Sequence, residues 1–123
     1  MVVFKRRFFA RWQAAENLQD KTLWSVIDEM EHGLIDADLG GLLYKKRVAR
    51  PGYGRRGGYR ILLSARLGER YIFMHGFSKS ESDNIHHSER TALQYAGKIF
   101  LGLNGPDLTT ALNQEVLIKL AAA

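Results

Sequence analysis

The chain has 123 residues, 46% of them hydrophobic and 25% charged, with a net charge of +5 and no cysteine. That length supports one domain with a modest core, and the composition excludes wholesale disorder. Disulfide staples and thiolate metal sites are excluded, and apolar runs such as Ile61-Leu62-Leu63 are too short to span a bilayer.

In chain order, residues 2–7 read as a short first strand with Val3 and Phe4 at its apolar start. Apolar residues here precede Lys5-Arg6-Arg7, the reverse of a secretory signal, which points to the cytoplasm. Phe8 to Asn17 reads as a helix, with Phe8, Phe9, Trp12 and Ala15 near helical spacing. Asp20 is the expected N-cap of a second helix over 21–32, whose inner face is Leu23, Trp24, Ile27 and Met30 and whose stop is Gly33. Trp12 and Trp24 are expected in the core.

Gly40-Gly41 marks the change to β structure, and Leu42 to Arg50 reads as a strand. The segment from Pro51 to Gly58 reads as a long glycine-rich connection rather than regular structure. Tyr59 to Leu67 is the next strand, with Ile61, Leu63, Ala65 and Leu67 on one face and Arg60, Leu62, Ser64 and Arg66 on the other. After a Gly68-Glu69 turn, Tyr71 to Phe77 is a further strand, with His75 a core or edge residue. A helix is expected from Ser82 or Asp83, with an apolar stripe of Ala92, Leu93, Ala96, Ile99, Phe100 and Leu103. Asn104-Gly105-Pro106-Asp107 ends it and caps a last helix from about Leu108 to Leu120. The order β-α-α-β-β-β-α-α implies an α+β fold, a small antiparallel sheet with helices packed on it. Residues 1–123 form one expected domain, with a core over 2–103 and a helical extension over 107–123.

Charge is unevenly placed. Between Leu39 and Gly68 there is no acidic residue, while Lys45, Lys46, Arg47, Arg50, Arg55, Arg56, Arg60 and Arg66 give a local +8. The remainder holds ten basic residues against thirteen acidic ones, a net −3. Eight uncompensated cations repel one another unless a polyanion is bound, and phosphate is the obvious polyanion. Arginine's planar fork suits phosphate, the glycines permit close backbone approach, and Tyr53 and Tyr59 are placed to stack on bases. Strand parity puts Lys45 and Arg47 on one face and Lys46 and Val48 on the other, with Arg60 at the start of the neighbouring strand. Cations converging there suit electrostatic stabilisation of a phosphodiester transition state. His86-His87 makes no metal site, because adjacent ligands rarely converge.

Three blocks resemble a known family. Leu39-Gly40-Gly41-Leu42-Leu43-Tyr44-Lys45-Lys46-Arg47-Val48-Ala49-Arg50, then Gly57-Gly58-Tyr59-Arg60, then Phe77-Ser78-Lys79-Ser80-Glu81-Ser82-Asp83-Asn84-Ile85 are similar to the HigB-like branch of the RelE/ParE toxin superfamily. The likeness spans roughly residues 2–103. It implies the toxin of a type II toxin–antitoxin pair, a ribosome-dependent mRNA endonuclease in which the ribose 2′-OH attacks the adjacent phosphate. It implies no cofactor and no metal. The implied partners are an antitoxin of the helix-turn-helix type, mRNA and the ribosome, with no membrane. By position, Lys45 and Arg47 resemble the family's paired cations, Arg60 its phosphate-binding arginine and Lys79 its lysine after the last strand. His86 falls where the family has a catalytic tyrosine, and Ser80 stands where it has an arginine. Glu81 or His86 is the candidate base, and Lys79 or an arginine the candidate acid. Lys46, Arg50, Arg55, Arg56 and Tyr59 are candidate RNA contacts. The alternatives are a gyrase inhibitor of the ParE kind, which shares this fold, and a nucleic-acid-binding module without catalysis.

Overall fold

The computed structural model describes residues 1–50, 54–79 and 85–121. In chain order the elements are β1 (Val2–Arg6), α1 (Arg7–Ala15), α2 (Asp20–Glu31), β2 (Ala37–Gly40), β3 (Leu43–Arg50), β4 (Gly54–Arg66), β5 (Arg70–Ser78), α3 (His87–Gly102), α4 (Gly105–Asn113) and β6 (Leu117–Lys119). The strands form one sheet in the order β2-β3-β4-β5-β1-β6. The fold class is α+β, as expected, with a helix layer on each face of the sheet.

Those layers follow from the strand pattern. In β4, Tyr59, Ile61, Leu63 and Ala65 join Phe9 of α1 and Leu23, Ile27 and Met30 of α2 in one apolar cluster. Leu62 joins Leu93 and Leu101 of α3 and Ala111 of α4 in a second cluster on the other face. Tyr71, Ile72, Phe73 and Met74 are all fully buried, the continuous apolar run of a strand covered on both faces.

Several expectations change. The sheet is mixed, because β1 runs parallel to β5, with Val2 opposite Arg70 and Lys5 opposite Phe73. Strand β2 lies before the expected switch and ends at Gly40, and Gly40 and Gly41 both have positive φ, as the turn into β3 requires. Residues 54–58 are strand rather than loop: β4 starts at Gly54, opposite Arg50, after a register shift between Val48 and Arg50. The ladder with β3 overrides the weak strand preference of glycine there. The expected loop residues Pro51, Gly52 and Tyr53 lie outside the described residues, as does the helix start at Ser82 or Asp83. α3 begins later, with His86 as N-cap.

The last expected helix is divided. α4 ends at Asn113, Glu115 takes a positive φ, and Leu117–Lys119 form β6 antiparallel to β1. The buried face of α3 is also rotated. Leu93, Gly97 and Leu101 point inward and Ile99 is exposed. The cause is a close approach at Gly97, where an added Cβ would lie 1.8 Å from Ser64 Oγ.

Polar locks tie the layers together. Asp20 lies in the first turn of α2, and Gln19 is the N-cap. The Asp20 carboxylate accepts from Lys5 Nζ (3.1 Å) and Gln13 Nε2 (2.7 Å), joining β1, α1 and α2. Burial pushes its pKa up, but the bonds from Gln13 and Lys5 outweigh this and hold it below its ordinary value. Arg70 donates to the carbonyls of Phe100, Leu101 and Leu103, satisfying the end of α3.

Candidate functional site

The end of the sheet where β3 and β4 pair holds the expected cations. Arg47 stands directly opposite Arg60, and Lys45 opposite Leu62. Leu62 faces the α3 layer, so alternation places Lys45, Arg47 and Arg60 on that same face. Directly opposed residues in an antiparallel pair have Cα atoms about 4.5–5.5 Å apart, so like charges there oppose folding.

Nothing nearby among the described residues relieves that repulsion. Among the described residues, no carboxylate lies within salt-bridge distance of the side chains of Lys45, Arg47 or Arg60. Arg60 is only 6% exposed, and its guanidinium donates one hydrogen bond, to the carbonyl of Tyr59 at 3.3 Å. A buried guanidinium has five N–H donors and needs acceptors, and most of them have no partner among the described residues.

Two more candidates border this face. Lys79 follows β5, and its backbone N–H donates to the carbonyl of Gly58 (3.1 Å), two residues before Arg60. Phe77 is the register partner of Arg60, and Ile85 packs against the cluster that contains Phe77. The next residue, His86, is therefore carried to the same end of the sheet as the exposed N-cap of α3. Glu81 and the side chains of Arg55 and Arg56 lie outside the described residues.

Three expected RNA contacts are placed elsewhere. Lys46 is 3% exposed on the opposite face, where its Nζ donates to Glu29 (2.7 Å) and to the carbonyl of Leu34 (2.8 Å). Asp36 lies 3.8 Å away and also accepts the Arg47 backbone N–H. The partners of Lys46 come from α2 and the following loop, so the strand pattern alone could not name them. Tyr59 is 4% exposed and packs edge-on against Trp12, with ring centroids 5.1 Å apart. It is a core residue without a free ring face for a base. Arg50 lies over the Tyr59 ring, 5.4 Å from its centroid, and 3.9 Å from Glu16.

Arg90 was not foreseen. Its Nε is buried without a hydrogen-bond partner. It lies one turn before Gln94, which donates to the carbonyls of Leu39 and Gly40, and seven residues before Gly97 on Ser64. That spacing puts Arg90 on the sheet-facing side of α3, toward β2 and β3, which adds a cation to this half of the molecule. The spacing was legible, but the helix face could not be oriented before Gly97 was known to touch the sheet.

Among the described residues no three His, Asp or Glu side chains are grouped to hold a metal ion. No helix among them is long and apolar enough to cross a membrane.

Among protein-family models, residues 1–120 match the one described as the RelE toxin of the RelE/RelB toxin–antitoxin system. A search of curated proteins finds no match. With a match across nearly its whole length, the chain belongs to the RelE toxin family, whose members act in toxin–antitoxin pairs.

Proposed function

We propose that this toxin is a ribosome-dependent mRNA endonuclease of the HigB-like kind, acting in the cytoplasm and neutralised by a helix-turn-helix antitoxin. The observation that carries the reading is Arg47 opposite Arg60, with Lys45 on the same face and no carboxylate partner for any of the three among the described residues. An uncompensated cation pair that opposes folding is well matched to a phosphate.

Arg60 holds the scissile phosphate through its open guanidinium edge. The 2′-OH of the preceding ribose attacks phosphorus, and its proton passes to Glu81 or His86. Negative charge gathers on the non-bridging oxygens, where Lys45 and Arg47 meet it. The bond to the 5′-oxygen breaks, and that oxygen takes a proton from Lys79 or an arginine. The products are a 2′,3′-cyclic phosphate and a 5′-hydroxyl, so no water and no metal-bound hydroxide is consumed. Lys46 and Tyr59 have no part in this scheme, because each is occupied on the far face.

The test is induced expression with mapping of mRNA 5′ ends on ribosomes, for the wild type, Arg60→Gln and Arg47→Ala. Losing one preorganised charge donor costs roughly 100-fold or more in cleavage rate. In-frame cuts that vanish in Arg60→Gln and weaken in Arg47→Ala support the reading. Absence of new cuts in the wild type, with a supercoiling defect instead, refutes it in favour of gyrase inhibition.

A further inference from the structure

We propose that the groove between α1 and α3 is the docking surface for the antitoxin, and that it takes an apolar anchor residue from a segment that also carries carboxylates. The proposal rests on membership of a two-component toxin family, not on the cleavage reading.

The groove arises where β1 leaves the sheet. β1 pairs with β5 only as far as Lys5 opposite Phe73, and the chain enters α1 at Arg7. Beyond that point, no strand among the described residues flanks the outer edge of β5 from Met74 to Phe77. α1 stands on one side of this edge and α3 on the other, enclosing a cavity of about 540 Å³. Phe8, Phe9 and Trp12 line it from α1, and Ala92, Leu93 and Ala96 from α3. That volume and lining suit one or two large apolar side chains.

The apolar surface continues outside the cavity. Phe8 forms its lip and is 68% exposed. On α3, Tyr95 (71% exposed) and Ile99 (48%) extend the line of Ala92 and Ala96 at helical spacing. The expected core stripe of α3 is thus partly turned outward onto this groove, and exposed apolar surface of this extent marks a partner site.

Charge selects the partner. The Arg6 guanidinium lies 5.3 Å from the Phe8 ring centroid, and Arg11 is exposed three residues further along α1. Among the described residues neither has a carboxylate partner. A second copy of this chain would set these arginines against their own kind across a two-fold axis. RNA would bring its phosphates to walls that are mainly apolar. A segment with an apolar anchor and flanking carboxylates satisfies both features. The groove also borders the cations. His75 on its wall lies 5.8 Å from Phe77, ring to ring, and Phe77 is the register partner of Arg60. A chain anchored in the groove is thereby led toward the Arg47–Arg60 face.

The test titrates purified toxin with the antitoxin encoded beside it, by calorimetry, using wild type, Phe8→Asp, Ala92→Arg and, as control, Leu67→Asp in the exposed β4–β5 turn. The expected result is a Kd raised tenfold or more for Phe8→Asp and Ala92→Arg and unchanged within twofold for Leu67→Asp. Both groove variants are expected to cut mRNA like the wild type and to escape neutralisation. Should Phe8→Asp melt early, Tyr95→Asp takes its place. Wild-type affinity in both groove variants overturns the proposal. So does lost RNA cleavage with antitoxin affinity intact, or a wild-type dimer that Phe8→Asp splits without weakening the antitoxin. A wild type that cuts no RNA refutes the cleavage reading alone, and the antitoxin affinities still decide this one.

Discussion

Lys46 and Arg47 are neighbours in β3 whose side chains leave the strand on opposite faces, and alanine at each position separates structural from ligand-binding charge. Lys46→Ala removes a bond of 2.7 Å to Glu29 and one of 2.8 Å to the Leu34 carbonyl from a side chain only 3% exposed. Hydrogen bonds to charged groups contribute about 1.5–3 kcal/mol each when buried. Glu29 is half-exposed, so solvent screens its share and rehydrates it in the variant. The net loss is about 2 kcal/mol, which for a domain of this size lowers Tm by roughly 6–10 °C. Lys46→Met, which keeps the apolar stem, costs less. Arg47 is exposed, so Arg47→Ala changes stability by about 0.5 kcal/mol at most. Under the proposed cleavage reading it removes one phosphate contact, and the salt dependence of RNA binding is then expected to fall by about 0.7 in slope. Thermal melts by circular dichroism and RNA anisotropy titrations across potassium chloride concentrations read both quantities. The reasoning fails if Lys46→Ala melts like the wild type and loses salt slope as Arg47→Ala does.

Gly97→Ala drives a methyl into Ser64, 1.8 Å from Oγ and 2.6 Å from Cβ, and is expected to cost about 1–3 kcal/mol by overpacking. Ser64→Gly in the same chain should recover much of that loss in urea denaturation, and a strictly additive double variant would show that the two residues do not meet. His75 has a pKa below its ordinary 6.5, first because burial disfavours the imidazolium and then because Arg6 repels it, with Glu89 pulling the other way. The unfolded state therefore binds the proton more readily, so this contribution is full above about 6.5 and is lost as pH falls through that value toward the folded pKa. Melting curves from about pH 8 to 5 should fall less steeply for His75→Gln, and parallel curves would remove His75 from the account. Tyr59→Leu, which removes the ring, is expected to leave the RNA affinity of the folded protein unchanged within about twofold, because a ring packed on Trp12 offers no stacking face. A larger loss would place Tyr59 in the interface.

Local pattern carried much of the fold. The alternation of β4 showed both faces of a central strand, and the parity of Lys45, Arg47 and Arg60 followed from it, since a period of two leaves little freedom once the register is known. Features set by distant partners were not legible. The parallel pairing of β1 with β5 depends on residues some seventy positions apart. Leu117-Ile118-Lys119 is too short to announce a strand, and Leu108, Leu112 and Val116 continue a helical spacing through the break at Glu115. The glycines of 54–58 weaken a local strand preference that the β3 ladder restores. Lys46 read as one more exposed cation because its carboxylates lie on α2 and the loop after it. Ile99 read as core because the close contact at Gly97 that rotates α3 involves no apolar side chain.

The position of β1 bears on how the protein is made. It is the first of the described strands in chain order, yet it lies between β5 and β6, and its Phe4 pairs with Lys119. A nascent chain halted before Leu117 leaves β1 with an open edge and the apolar cluster that includes Phe4 and Leu117 unfinished. Completion of the sheet thus waits on β6, the last of the described strands in chain order, rather than spreading along the chain. The edge that β6 covers is therefore closed by a contact of very long sequence separation, of the kind that forms late in folding.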